Sequence, residues 1–223
     1  MTPKKENTSK EVFRDYLKII FELGGTKKKV SNKQIAMSLN VAAGSVTEMV
    51  NKLVKEGLAA HTPYAGISLT DEGIEVAEKL VRRHRLWETF LVEKLDYQLS
   101  EVHDEAEVLE HVASDKLMKK LDQFLNSPRE CPHGGVIPTE AGEYEEESHE
   151  YLAEIKVGET VEVDRFIDNH ELLTYLDDLE LKLGDKIEVL EHLPFEGPIK
   201  VKRLADGAEL SIGYKAAHYI FVK

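Results

Sequence analysis

What this chain has little of narrows it first. Cys131 is the single cysteine in 223 residues, so no disulfide can close within the chain, which suits a reducing cytosol. No run of about 18 consecutive apolar residues occurs, so no membrane-spanning helix is expected. The opening Met1-Thr2-Pro3-Lys4-Lys5-Glu6-Asn7 has no apolar core; no signal peptide is expected, and the expected location is cytoplasmic. Overall positive charge is lacking too. With 29 Lys and Arg against 42 Asp and Glu, the net charge of −13 argues, taken globally, against a nucleic-acid partner.

The charge is unevenly spread, however. Residues 1–60 hold 11 Lys and Arg and 6 Asp and Glu, whereas residues 61–223 hold 18 and 36. A basic head on an acidic body can bind phosphates locally. The length fits two or three domains, and 42% apolar residues suffice for real cores.

Within the head, residues 9–23 carry apolar residues at helical spacing (Val12, Tyr16, Ile19, Ile20, Leu23), and Gly24-Gly25 ends the run. Ser31 as N-cap with Gln34 three residues on is a capping box for a second helix. A third helix is expected over residues 45–56, apolar at Val46, Met49, Val50 and Leu53, with Gly57 as its stop. Residues 58–69 read as two short strands around Thr62-Pro63-Tyr64-Ala65-Gly66. A helix-turn-helix followed by a β-hairpin makes a winged helix; the plainer alternative is a helical bundle with a surface hairpin. If the head binds DNA, Lys27, Lys28, Lys29 and Lys33 are the expected phosphate contacts. Ser45, Thr47 and Asn51 are then the residues expected near bases.

The middle of the chain carries the donors. Thr70-Asp71-Glu72 caps a long helix expected to run to about Leu95, with His84 and Glu88 one turn apart. A further long helical stretch is expected over residues 100–126. On it Glu107, Glu110 and His111 (i, i+3, i+4) share one face, with His103 one turn earlier. Cys131-Pro132-His133 follows in a loop between Pro128 and Pro138. Carboxylates, imidazoles and one thiol concentrated in this segment read as a divalent-metal site. The two helical stretches hold more large apolar residues than one stripe needs, which suggests a dimer face.

The order is winged helix, Arg83-His84-Arg85-Leu86-Trp87-Glu88, Glu101-Val102-His103-Asp104-Glu105-Ala106-Glu107 with Glu110-His111-Val112, then Cys131-Pro132-His133-Gly134. This resembles the diphtheria-toxin-repressor family of metal-dependent transcription repressors, nearest its manganese-responsive three-domain branch from Gram-positive bacteria. The resemblance covers nearly the whole chain. It implies a homodimer that binds palindromic operators when metal-loaded, with no enzyme activity and no small-molecule substrate. It also implies two metal positions. One uses Glu88, Cys131, His133 and Asp168; the other uses Asp15, Glu107, Glu110 and His111, with His84 close by. His103 matches an ancillary ligand of the iron-responsive branch. Iron-responsive members carry methionine and cysteine where this chain has Asp15 and Glu107. Carboxylate oxygen in place of sulfur favours Mn²⁺, while the Cys131 thiolate welcomes Zn²⁺, so Fe²⁺, Zn²⁺, Co²⁺ and Cd²⁺ are compatible as well.

Residues 139–150 are acidic and read as a linker. Beyond them the period changes to two over residues 156–163 and 182–190, with a short helix over 171–178 between and further strands over 198–202 and 217–222. The expected fold is therefore mainly α with small β elements. A winged helix-turn-helix (residues 1–72), a helical dimerisation and metal-binding domain (73–140) and a linker (141–151) precede a C-terminal SH3-like (FeoA-like) β-barrel (152–223). The expected function is Mn²⁺-responsive repression, of manganese-uptake genes if the family holds. The rival readings are a metal-dependent hydrolase and a winged-helix regulator of an organic ligand with structural zinc.

Overall fold

The computed structural model describes residues 3–144 and 150–223, with side chains from residue 12 onward; residues 145–149 of the expected linker lie outside the described part. The chain divides into two compact units, Met1–Arg83 with Pro138–Tyr144, and His84–Ile137 with Glu145–Lys223.

In the first unit, α1 (Pro3–Glu22) starts six residues earlier than its apolar pattern, on a proline that suits the first turn of a helix. It buries Tyr16, Leu17, Ile20 and Phe21. The α2 helix (Asn32–Ser38) has the expected capping box: Gln34 N donates to Ser31 Oγ at 3.2 Å, and Ser31 N donates to Gln34 Oε1 at 2.9 Å. The α3 helix (Ala43–Lys55) begins two residues before the sequence signal and buries Val46, Met49, Val50 and Leu53. Gly57 follows with φ +77, the left-handed stop that glycine makes cheap. The wing pairs β1 (Ala59–Thr62) with β2 (Gly66–Leu69), antiparallel. Val30 bridges Ile67, so the lysine-rich 27–29 segment leads directly onto the wing. Gly66 has no alternative there, because a Cβ would come 2.6 Å from the Val30 carbonyl oxygen. Thr70 Oγ1 accepts from Gly73 N at 3.1 Å and caps α4 (Asp71–Leu95).

In the second unit, α4 continues and is followed by α5 (Val102–Val112) and α6 (Asp115–Phe124). The sequence reading of one continuous stretch over 100–126 is corrected here. Ala113 is extended (ψ 134), and Ser114 Oγ accepts from Leu117 N at 3.3 Å to start a new helix. Leu86, Leu91, Val102, Ala106, Met118, Leu121, Leu125 and Ile137 form the core of these helices.

The C-terminal part holds β3 (Glu150–Tyr151), a 3-10 turn (Leu152–Glu154), β4 (Thr160–Phe166) and α7 (His170–Asp178). It continues through β5 (Lys186–His192), β6 (Ile199–Arg203), β7 (Glu209–Ile212), α8 (Tyr214–Ala217) and β8 (Ile220–Val222). These strands form one antiparallel sheet ordered β3-β8-β4-β5-β6-β7. The alternating pattern overshot at its N-terminal ends. Lys156 N donates to Glu159 Oε2 and Lys182 N to Asp185 Oδ2, so both stretches begin as side-chain-closed turns and pair only later. The strand expected over 217–222 likewise starts only at Ile220. No helix among the described residues is long and apolar enough to cross a membrane.

Candidate metal centre

Nine donor residues were expected from the resemblance, and eight of them lie in the second unit. Spacing of four residues puts His84 and Glu88 on one face of α4, and α5 presents His103, Glu107, Glu110 and His111 from successive turns. The loop after α6 is a tight turn in which Gly134 N donates to Cys131 O at 2.9 Å and Cys131 N to Gly135 O at 2.8 Å. Gly134 (φ +83) lets that loop lie against β4, where a Cβ would meet Asp164 O at 2.3 Å, and Phe166 N donates to His133 O at 3.0 Å. Asp168 follows β4, immediately ahead of Asn169, which caps α7 through Leu172 N.

His84 is the hub. Its Nδ1 lies 2.7 Å from Glu110 Oε2 and 3.6 Å from Glu107 Oε2; its Nε2 lies 3.0 Å from Asp168 Oδ2 and 3.2 Å from Glu88 Oε1. His133 Nδ1 lies 3.3 Å from the same Glu88 oxygen, and His133 Nε2 lies 3.8 Å from Asp168 Oδ1. His103 Nδ1 hydrogen-bonds Asp168 Oδ2. His111 Nε2 lies 3.1 Å from Glu107 Oε1. Three groups have donor atoms within 4.8 Å of one another: His84, Glu88, His103 and Asp168; Glu88, Cys131 and His133; and His84, Glu107 and Glu110.

The electrostatics are those of a buried charge cluster. Burial pushes the Glu88 carboxyl upward, but the His133 and His84 imidazoles outweigh it and bring it down to about 2. Burial opposes ionisation of Asp168 as well, yet His133, His103 and His84 hold it well below the usual carboxylate range. Burial disfavours the charged form of His133, but Glu88 and Asp168 raise it well above the ordinary histidine value; His103 is raised against burial by Asp168. Even so, Glu88 Oε1, His133 Nδ1 and Asp168 Oδ1 are buried without a hydrogen bond. Buried polar atoms left unsatisfied cost about 1–3 kcal/mol each. A divalent cation is the ligand that satisfies carboxylate, imidazole and thiolate donors together, so the residues present fit a metal ion.

Glu88, Cys131 and His133 come together as the resemblance implied, and Asp168 adjoins them, but it groups more tightly with His84 and His103. Glu107 and Glu110 come together around His84, with His111 beside Glu107. Asp15 is on α1, in the first unit, 3.9 Å from Lys18 Nζ. Its place in a ligand set rests on the resemblance alone. The resemblance puts His84 beside the second set and His103 only as an ancillary match, whereas both rings lie against Asp168. The available signal was their spacing: His84 is i, i+4 to Glu88, and His103 is i, i+4 to Glu107.

In the first unit, Ser45, Thr47 and Asn51 are exposed on α3. Thr47 Oγ1 donates to Ala43 O and lies 3.4 Å from Asn32 Nδ2, which ties α3 to α2. Lys27, Lys29 and Lys33 are exposed and Lys28 is half-buried.

Residues 9–67 match the iron dependent repressor N-terminal DNA binding domain, and residues 70–139 match the iron dependent repressor metal binding and dimerisation domain. Residues 151–223 match the FeoA domain. The chain belongs to the iron-dependent repressor family, that of the diphtheria toxin repressor. It is 32% identical over 123 residues to the diphtheria toxin repressor of Corynebacterium glutamicum, covering 55% of this chain and 54% of that protein. It thus spans about half the length of that curated relative. The structure of the manganese regulator SloR is 41% identical, with a TM-score of 0.79 over 95% of this chain and 97% of that one. A manganese-dependent transcriptional repressor in complex with manganese is 39% identical, with a TM-score of 0.75 over 94% and 98%. ScaR, solved with bound Cd²⁺ and with bound Zn²⁺, is 40% identical, with a TM-score of 0.77 over 95% and 98%. The fold and the relatives are those of transcriptional repressors rather than enzymes, which removes the hydrolase reading.

Proposed function

We propose that this chain is a Mn²⁺-responsive repressor whose homodimer binds operator DNA in the cytoplasm and controls manganese-uptake genes. The observation that carries the reading is the buried convergence of Glu88, Glu110, His84 and His133 in a chain whose α3 exposes Ser45, Thr47 and Asn51. A bound divalent ion supplies the positive charge that lets several carboxylates sit together without repulsion. Glu88, Cys131, His133 and Asp168 would hold one ion, and Glu107, Glu110 and His111 the other, with His84 between them and Asp15 added by the resemblance. Glu107 supplies oxygen where iron-responsive relatives supply sulfur, and the structural relatives described as manganese regulators support the same preference. The Cd²⁺ and Zn²⁺ forms of ScaR support a site that also admits thiophilic ions.

For the dimer, α5 exposes Val108 and Val112, and α6 exposes Leu117 and Phe124. Exposed large apolar side chains on adjoining helices of a dimerisation domain fit a partner surface. Two recognition helices then face half-sites about 34–36 Å apart. Ion affinity and operator affinity are linked and must raise each other by the same factor.

Glu107→Ala tests the assignment. The variant is expected to fold normally and to lose Mn²⁺-dependent retardation of an operator fragment; full retention of the Mn²⁺ response would overturn it.

A further inference from the structure

One acidic side chain stands out of place in the basic head. Residues 1–60 carry 11 Lys and Arg against 6 Asp and Glu, yet Glu48 lies in the middle of the exposed face of α3. Helical spacing (i, i+4, i+7, i+11) puts Gly44, Glu48, Asn51 and Lys55 on the line opposite the buried Val46, Met49, Val50 and Leu53. A Cβ added at Gly44 would meet nothing within 4 Å, and Ala42 and Ala43 beside it are exposed, so this end of α3 is slim and open to close approach. In a helix-turn-helix, that end of the second helix meets base edges in the major groove. Glu48 is one turn further along. Lys52 Nζ lies 2.8 Å from Glu48 Oε1. The Lys52 ammonium holds the Glu48 carboxyl below the usual carboxylate range, so the group meets DNA ionised. Exposed pairs of this kind contribute little to stability, so the carboxylate can take another partner at small cost.

A carboxylate carried toward DNA is repelled by the phosphates and loses its water, a cost offset only where it accepts a hydrogen bond. In the major groove, guanine O6 and N7 and thymine O4 are acceptors and repel it. The donors are cytosine N4 and adenine N6, and adenine N6 stands beside the N7 acceptor. Cytosine is therefore the base that suits a carboxylate, and its pairing partner guanine suits the Lys52 ammonium. Resting on the operator-binding reading above, we propose that Glu48 is a specificity-determining residue that accepts a hydrogen bond from the N4 amine of one cytosine in each half-site, with Lys52 as its positioning residue. Lys27, Lys28, Lys29 and Lys33 supply affinity without regard to sequence. Glu48 withdraws affinity from every duplex that does not place a cytosine opposite it, which is specificity by rejection of the wrong partner.

The test uses the full chain loaded with Mn²⁺. A duplex library with a randomised centre is bound, the retarded fraction is sequenced, and the selection is repeated with Glu48→Ala and Glu48→Gln, with circular dichroism to check folding. The unmodified chain should select cytosine at one symmetry-related pair of positions. Glu48→Ala should keep the rest of the selected site and accept any base there. Glu48→Gln should move the preference toward adenine, whose N6 and N7 suit an amide. A second measurement on the unmodified chain needs no variant. Each selected cytosine is replaced in turn by N4-methylcytosine, which puts a methyl group where the groove-side N–H was. At the position read by Glu48 this should weaken binding about tenfold, and binding by Glu48→Ala by less than about twofold. Cytosine retained at that position by Glu48→Ala would overturn the proposal. So would an equal change in affinity for every duplex, a methyl group without effect at any cytosine, or a selected site without cytosine. A chain that binds Mn²⁺ but selects no sequence would instead sink the operator-binding reading on which the proposal rests.

Discussion

The α3 helix and the donor cluster dispose their polar residues in opposite ways. On α3 they are all outside: Ser45, Thr47, Asn51, Lys52 and Lys55 are exposed while four apolar residues carry the packing. At the centre of the cluster they are inside: Glu88 is 1% exposed, His133 2%, Glu110 3% and His84 4%, with His103, Glu107 and His111 half-buried around them. An exposed polar face costs the fold nothing and is free to meet another molecule. A buried set of acids and imidazoles is costly unless its charges are matched, so its stability depends on what it binds. The difference separates a face open to another molecule from a pocket whose charges must be matched from within or by an ion.

The largest effect should come from unbalancing the pocket. Glu88→Gln keeps the side chain's shape and removes the charge common to two donor groups. Mn²⁺ and Cd²⁺ affinities, read by chelator competition, should both fall by more than about 100-fold, beyond the 10- to 100-fold typical of losing a supporting residue. A change under threefold would show that Glu88 is a structural partner of the histidines instead.

Next comes pH dependence without metal. His133 and His103 have folded-state values above the ordinary histidine value of about 6.5. Their protonated forms thus contribute stability that is fully present below that value and is lost as pH rises through the folded values. Glu88 and Asp168 are shifted down, so their contribution is present above the ordinary carboxylate range and is lost only as pH falls below it, toward about 2 for Glu88. The thermal midpoint of chelated protein should therefore fall as pH is raised from 6 to 9, and fall less with Mn²⁺ present. An unchanged midpoint across that range would contradict the account.

The smallest effects belong to the exposed face. Asn51→Ala should lower discrimination between operator and scrambled duplex by about 1–3 kcal/mol and leave ion affinity alone in the absence of DNA. Lys29→Ala should weaken both duplexes alike and reduce the salt slope by about one. An Asn51 variant that lost affinity equally for both duplexes would make it a backbone contact.

Much of this was legible in the chain because local rules decide it. The capping box at Ser31, the glycine stop at Gly57 and the Thr70 cap place α2, α3 and α4 where local sequence rules put them. Ser114 carried the signal that splits α5 from α6, but apolar residues on both sides of it masked the break. The short β3 and β7 strands are edge elements of the C-terminal sheet whose pairing depends on distant partners, and no local pattern announces them. The same holds for the site. Glu107, Glu110 and His111 stand out by helical spacing, whereas Asp168 is 80 residues from Glu88 in sequence and enters only by folding back from β4. Spacing shows His84 only as one turn from Glu88, whereas in the fold four carboxylates surround its ring.

In the proposed repressor, ion binding in the buried pocket controls operator binding through the exposed face of α3. The direct measurement is fluorescence anisotropy of a labelled operator duplex titrated with the protein in Mn²⁺, in Zn²⁺ and in chelator. The account predicts tight binding with Mn²⁺ and at least tenfold weaker binding in chelator, a coupling of about 1.4 kcal/mol or more. Identical curves in Mn²⁺ and in chelator would contradict it.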